Sequence, residues 1–382
     1  MSALGPLTIH LRYVGFLLGM YLCVSPYTIE WKTSRIQIRK GLRTYMSYLF
    51  SIIVWVYVIF MAVQVFAPKD ERSASLRPFL AAGTCIMGFA STLLFCLVLH
   101  SEDLLLFINQ SYNLIEDMHE NYYIPKKHRH KCSAIRQDFS GIILALLCIG
   151  SALIEICLLA MYIADPYFPG FPLSFAPIEY RRNWICMICS FFLSGLIVFG
   201  CFAVVQIWGL SILPIIFEFS GVLQEMTCGR KHYKTVAKLR CQVHLVENFR
   251  KLQLIRLMVD KVYSPVALPA LKCTFIGGSI YATYGCIKMD GLVSVFLFVL
   301  SLCMMTILGV FFTILGRIHK YSVEMQGSWR DRILLPDLRK SFASFPVLGI
   351  RIGTFYFVTC GTVLTIFSTI LENTVNLLIS NK

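Results

Sequence analysis

Residues 183–217 read NWICMICSFFLSGLIVFGCFAVVQIWGLSILPIIF. No residue in this run of 35 is charged. As one helix rising 1.5 Å per residue it would be about 52 Å long, well beyond the ~30 Å hydrocarbon core of a bilayer. It is therefore either one helix that projects past the membrane or a tight hairpin that crosses it twice. The charges around it decide between the two, and the choice sets the topology of the whole chain.

Six further apolar spans flank this run, at roughly 46–66, 78–99, 141–163, 263–287, 292–316 and 353–379. Each reaches the ~20 residues that a membrane-crossing helix needs. If 183–217 crosses once, segments 1–45, 100–140, 218–262 and 317–352 share one side and hold 27 of the 35 Lys and Arg. Segments 67–77, 164–182, 288–291 and 380–382 share the other side and hold 7, and Lys272 lies inside the fifth span. Cytosolic loops carry the excess of Lys and Arg. A hairpin would separate 100–140 from 218–262 and erase the bias. The reading is thus one long helix, bent near Pro214. The fold class is an all-α polytopic membrane protein of seven transmembrane helices, N-terminus cytosolic and C-terminus extracellular.

Composition agrees. Of 382 residues 57% are apolar and 15% charged, and the mean hydropathy is +0.68. A soluble domain carries about 25% charged residues, and a disordered chain is not hydrophobic. The net charge of +14 is read as basic cytosolic loops, not as a nucleic-acid surface. Eleven of the 15 cysteines fall in the spans, Cys132, Cys228 and Cys241 in basic loops and Cys23 near the N-terminus, so no disulfide framework is expected. Cys186 and Cys189 form a CxxC, but within an apolar helix. There is no HExxH, GxSxG or phosphate-binding loop, so no catalytic residue, metal site or cofactor is expected. The basic run Lys126–Lys131, with His128 and His130, suits anionic lipid.

The chain divides into four parts. Residues 1–45 form a cytosolic segment, with Tyr13–Val24 as an uncleaved helix at the inner surface. Residues 46–241 hold helices 1 to 4 and the ligand-pocket region. Residues 242–352 hold an extended fifth helix, the sixth helix and a cytosolic anchor, and 353–379 form the seventh helix. In 242–262, Val243, Val246, Phe249, Leu252, Ile255 and Val259 recur at helical spacing, so the fifth helix is expected to run on into the cytosol. Its apolar face needs a partner, either the same chain or a neighbouring subunit.

The last span carries the most chemistry. Thr362, Thr365, Thr369, Glu372 and Asn376 are spaced 3, 4, 3 and 4 and share one helical face. Lipid offers such a stripe no hydrogen bonds. It either packs against other helices or lines a water-filled pore built from several subunits, with Glu372 favouring cations. Val363 and Ile366 beside it are candidates for an apolar gate. A ligand pocket in the outer halves would draw on Glu155, an ionisable group inside the third span, and on Tyr162, Tyr167, Phe191, Phe192 and Phe296.

With its long fourth helix, long inner loops, short C-tail and polar final helix, this chain resembles the arthropod gustatory and odorant receptor superfamily. Gustatory receptors carry Thr-Tyr, five apolar residues and Gln-Phe in the last helix. Here the nearest match is Thr362-Val363, then Leu364–Ser368, then Thr369-Ile370, with Thr369 where the family has Gln. The resemblance implies a chemosensory, ligand-gated, non-selective cation channel of the gustatory type, in the plasma membrane. It implies four like or unlike subunits, a small-molecule ligand, and passage of monovalent and divalent cations. An odorant-receptor subunit is the alternative. A G-protein-coupled receptor would need the opposite orientation, and a transporter would need intramembrane charge pairs or repeated halves.

Overall fold

One helix, Trp184–Met226, contains the whole uncharged run and continues through Pro214. It is capped by Asn183, whose Oδ1 accepts the Ile185 N–H at 3.0 Å. The computed structural model describes residues 26–30, 35–38, 41–67, 75–124, 139–177, 183–330, 332 and 336–380. Tyr13–Val24, Cys23, Lys126–Lys131 and Cys132 lie outside them.

The chain enters through an antiparallel hairpin, β1 (Tyr27–Glu30) and β2 (Arg35–Ile38), which pairs Tyr27 with Ile38. Helices α1 (Leu42–Phe66), α2 (Arg77–Leu99), α3 (Ser101–Tyr122), α4 (Phe139–Ala164) and α5 (Trp184–Met226) follow. Then come α6 (Gln242–Val262), α7 (Ala267–Lys288), α8 (Gly291–Trp329) and α9 (Pro336–Ala343). A small hairpin, β3 (Arg351–Ile352) and β4 (Tyr356–Phe357), leads into α10 (Thr362–Ser380). Helices α1, α2, α5, α8 and α10 are long and apolar enough to cross a membrane, and the bent pair α6–α7 makes a sixth. Helix α4 stands where the sequence places the third span. Helix α7 is central, packed on α2, α8 and α10.

Three features depart from the sequence reading, and one point left open there is decided. The segment expected as a loop at 100–140 contains α3. Its buried Leu104, Phe107, Ile108, Ser111, Ile115, Met118 and Tyr122 recur three or four residues apart, on a helix otherwise too polar to register as a span. The fifth helix does not run straight on: α6 and α7 meet at 59°. Pro265 at the break lacks an amide donor and disfavours helical backbone at Ser264. Leu252 and Ile255 on α6 are buried within the chain against α3 and α5, so their face is covered by the protein itself. The last helix begins at Thr362, not at Gly353. Gly353 takes φ 56° in the turn of the β3–β4 hairpin, and Thr362 Oγ1 accepts the Thr359 N–H at 3.1 Å at the helix start.

The end of the bundle that carries the basic loops is knit by polar contacts. Lys251 and Lys261 on α6 pair with Asp117 and Asp103 on α3 at 3.2 and 2.7 Å, and His119 Nε2 lies 3.1 Å from Glu218 of α5. Buried Glu225 accepts the backbone N–H groups of Lys234 and Thr235, the Thr235 hydroxyl and the Arg230 guanidinium. Asn109 donates to the Ile36 carbonyl and so fastens β2 to α3. Among the described residues twelve cysteines are free, including Cys186 and Cys189.

Two glycines make a paired test of the packing. A Cβ on Gly316 would stand 2.8 Å from the backbone of Thr359 and Cys360, whereas one on Gly195 meets nothing within 4 Å. Gly316→Ala should therefore destabilise by about 1–3 kcal/mol, and Gly195→Ala should not. Thermal unfolding of the two purified variants checks this.

Candidate functional site

Helix α10 is the span least covered by its own chain: 22% of its apolar window is buried, against 39–50% for the others. Thr362, Ile366, Ile370 and Thr374, four residues apart, form its buried face, which packs on α7 and α8. The opposite side presents Thr365, Ser368, Glu372 and Asn376 together with Leu364, Leu371 and Val375. Ser368 Oγ donates to Glu372 Oε1 at 2.7 Å, and the Thr369 hydroxyl donates to the Thr365 carbonyl at 2.8 Å.

The structure thus sorts the residues singled out from the sequence. Thr365, Glu372 and Asn376 face away from the rest of the chain, and Thr369 lies at the edge of that face. Thr362 is buried at the helix start. Ile366 is 1% exposed and points into its own chain, so it does not border the open face, and Val363 is half-buried. Ser368 was missed by sequence reasoning. Its signal was its place four residues before Glu372, within hydrogen-bonding reach on a helix.

The segment that feeds α10 is pinned to the α6–α7 break. Ser264 Oγ donates to the Arg351 carbonyl at 2.8 Å, and Gly353 N–H donates back to the Ser264 carbonyl at 2.8 Å. Arg256 pairs with Asp260 at 2.7 Å and donates to the Gly349 carbonyl. Burial lifts the Asp260 carboxyl above the usual carboxylate range, against the opposing pull of Arg256 and the Arg351 N–H. Lys272 on α7 donates to Tyr356 Oη at 2.8 Å.

At the other end of the bundle, aromatic side chains join four helices and the loop after α4. Tyr162 of α4 contacts Phe191 of α5 at 5.5 Å and Phe171 of the following loop at 4.9 Å, edge-on. Phe171 reaches Phe168, Phe168 reaches Phe79 of α2, and Phe79 reaches Phe296 of α8, all within 6 Å between ring centres. Tyr162 Oη donates to the Met187 carbonyl at 2.9 Å, and Tyr57 Oη donates to the Gly170 carbonyl at 2.7 Å. Tyr162, Phe191 and Phe296 are therefore brought together, through Phe79, Phe168 and Phe171, which the sequence did not single out. Tyr167 sits in the loop, its N–H on Asp165 Oδ1. Phe192 is 69% exposed and meets the cluster only through Phe191. The Glu155 side chain lies outside the described residues. No group of three or more metal-ligating side chains occurs among the described residues.

No family model and no curated protein matches this sequence. The structure does match solved ones. It is similar to the insect olfactory receptor OR5 from Machilis hrabei, with a TM-score of 0.67 and 13% identity, over 98% of this chain and 100% of that one. The same receptor in complex with eugenol gives a TM-score of 0.68 and 15% identity at the same coverage. The fold is that of an insect olfactory receptor. The likeness extends over 98% of the chain.

The Lys272–Tyr356 pair makes a prediction with a sign. Tyr356→Phe leaves an ammonium in a half-buried position without its oxygen, at a cost of about 1–3 kcal/mol. Lys272→Met removes the charge along with the need for a partner and should cost less. The double variant should match Lys272→Met in thermal unfolding. A double variant as unstable as Tyr356→Phe would show that the pair is not the coupled unit.

Proposed function

We propose that this chain is a subunit of a chemosensory, ligand-gated, non-selective cation channel of the gustatory-receptor type in the plasma membrane. Four subunits, alike or mixed, place α10 around a central pore. The observation that carries this reading is the open face of α10. A helix of membrane length that presents Thr365, Ser368, Glu372 and Asn376 away from its own chain cannot rest against lipid. Water at the centre of a ring of such helices satisfies it. Glu372 toward the outer end then concentrates cations, monovalent and divalent alike. The fold likeness supports the reading, and it lends none to a G-protein-coupled receptor or a transporter. The basic end of the bundle is cytosolic, as the 27 to 7 distribution of Lys and Arg requires. The aromatic cluster at the other end receives a small molecule.

The alternative is an odorant-receptor subunit of the same superfamily. One observation favours it: both solved structures that the chain resembles are of an olfactory receptor.

Assembly draws on a second surface. On α6, Val243, Leu254 and Leu257 are more than half exposed. They lie on the face opposite the buried Leu252 and Ile255, and a neighbouring subunit is the partner that covers them.

Glu372→Gln and Thr369→Leu should each change single-channel conductance or cation selectivity, and unchanged recordings for both would overturn the pore assignment. Leu254→Asp combined with Leu257→Asp should dissociate the assembly on a native gel. Intact tetramers would remove α6 from the interface. A tag after Lys382 should stain intact cells, and one before Met1 should stain only permeabilised cells.

A further inference from the structure

Two helices of membrane length begin beside the β3–β4 hairpin. Helix α7 starts at Ala267 and runs for 22 residues, and α10 starts at Thr362 and runs for 19. At 1.5 Å per residue they are about 33 and 28 Å long, each close to the ~30 Å depth of the hydrocarbon core. The hairpin is bonded to Ser264, three residues before α7, and leads into α10. A Cβ on Gly353 at its tip would come 3.7 Å from Pro269 in the first turn of α7. The hairpin therefore stands where the hydrocarbon ends and the lipid headgroups begin.

At that level it carries a surplus of positive charge. The guanidinium groups of Arg351 and Arg256 lie over the same ring, that of Phe357, at 4.6 and 5.8 Å from its centre. Lys272 reaches Tyr356 on the other face of the hairpin. Against these three cations stands Asp260, which pairs with Arg256 at 2.7 Å and accepts the Arg351 backbone N–H. The Arg351 side chain is exposed and has no ion pair among the described residues. Beside it Phe355 is 80% exposed, and a bare aromatic ring is costly to leave in water. One molecule that answers both is an amphiphile with an anionic head.

We propose that the β3–β4 hairpin is a docking site for an anionic phospholipid of the leaflet on the side of the basic loops, the cytosolic leaflet in the orientation proposed above. The lipid phosphate pairs with Arg351, in the field of Arg256 and Lys272, and an acyl chain covers Phe355. A free anion would meet the guanidinium but leave the ring bare. A second copy of this chain would bring the same surplus of cations with it. The occupied site lies at the root of α10, so lipid charge bears on the position of that helix. The proposal requires the membrane fold and does not require the channel.

The experiment compares the full-length protein in nanodiscs of phosphatidylcholine alone with nanodiscs in which up to about a quarter is phosphatidylserine. The readout is the thermal midpoint. In wild type the midpoint should rise with the phosphatidylserine fraction and then level off, as filling of a site requires. Arg351→Gln should lose most of that rise, and so should Phe355→Ser, which alters an exposed tip and keeps the proposal testable if the arginine variant does not fold. Arg317→Gln is the control. Arg317 is exposed on α8 and adjoins Gly316, which abuts Thr359 and Cys360, so it removes the same charge near the same level but off the hairpin. It should keep the rise. Inorganic phosphate added to phosphatidylcholine nanodiscs should leave the midpoint unchanged. The proposal is overturned if wild type shows no rise or if Arg351→Gln keeps it. An equal loss in Arg317→Gln would mean a diffuse field in place of a site, and an equal rise with inorganic phosphate would mean a free anion. A Phe355→Ser variant that splits the assembly on a native gel and keeps the lipid response would give the tip to a neighbouring subunit. Each of these three results also overturns it.

Discussion

Hydrocarbon forms no hydrogen bonds, and most of this structure follows from that constraint. Inside the membrane the backbone has to satisfy itself, which makes each span a helix. Hydroxyls such as those of Ser91, Ser211 and Thr374 turn back on their own helix, and those of Thr283 and Ser301 pair between α7 and α8. Polar groups that cannot be hidden this way need a neighbour, and the open face of α10, with Thr365, Glu372 and Asn376, is where the chain presents them outward. In the receptor reading proposed above, that face turns toward other subunits.

The spans were legible because apolar length and basic-loop bias are carried by the chain itself. The run at 183–217 needed only its missing charges and the Lys and Arg on either side to be placed as one helix. What escaped were features fixed by tertiary contact. Helix α3 hid behind its mean polarity, since its stripe from Leu104 to Tyr122 is narrow and set among Glu, Asp and Asn. The break before α7 was written as Ser264-Pro265, but the helical period on both sides masked it. The start of α10 depended on a turn at Gly353 and a cap at Thr362, which an apolar average over 353–379 smooths away.

The two candidate sites differ in the same way. The stripe on α10 could be seen because a helix has one period, and any residue on it has a known bearing relative to the rest. Even so, the bearing of the stripe relative to the rest of the chain was not in the sequence. Packing on α7 and α8 rotates Thr362 and Ile366 inward and brings Ser368 outward. The aromatic cluster is assembled from α2, α4, α5, α8 and the loop after α4, so no local pattern announces it. Residue type alone picked out Tyr162, Phe191 and Phe296 but could not supply Phe79, Phe168 or Phe171, which connect them. It also could not exclude Phe192, one residue from Phe191 and therefore turned by about 100° on the helix.

The α6–α7 break ties these parts together. There the basic-end helices, the central α7 and the hairpin leading to α10 meet through specific bonds. Ser264 holds the backbone at Arg351 and Gly353, Arg256 and Asp260 hold Gly349 and Arg351, and Lys272 holds Tyr356. Tyr263 at the same break is buried against Phe107 of α3 and Trp208 of α5, whose indole donates to the Leu93 carbonyl of α2. A shift of α5 or α2 at the aromatic end therefore reaches the root of α10 through packed rings and short hydrogen bonds, not through a flexible loop. A close-packed path of this kind moves in discrete steps. In the channel proposed above, that is what a gate needs if binding at one end of the bundle is to move α10 at the other.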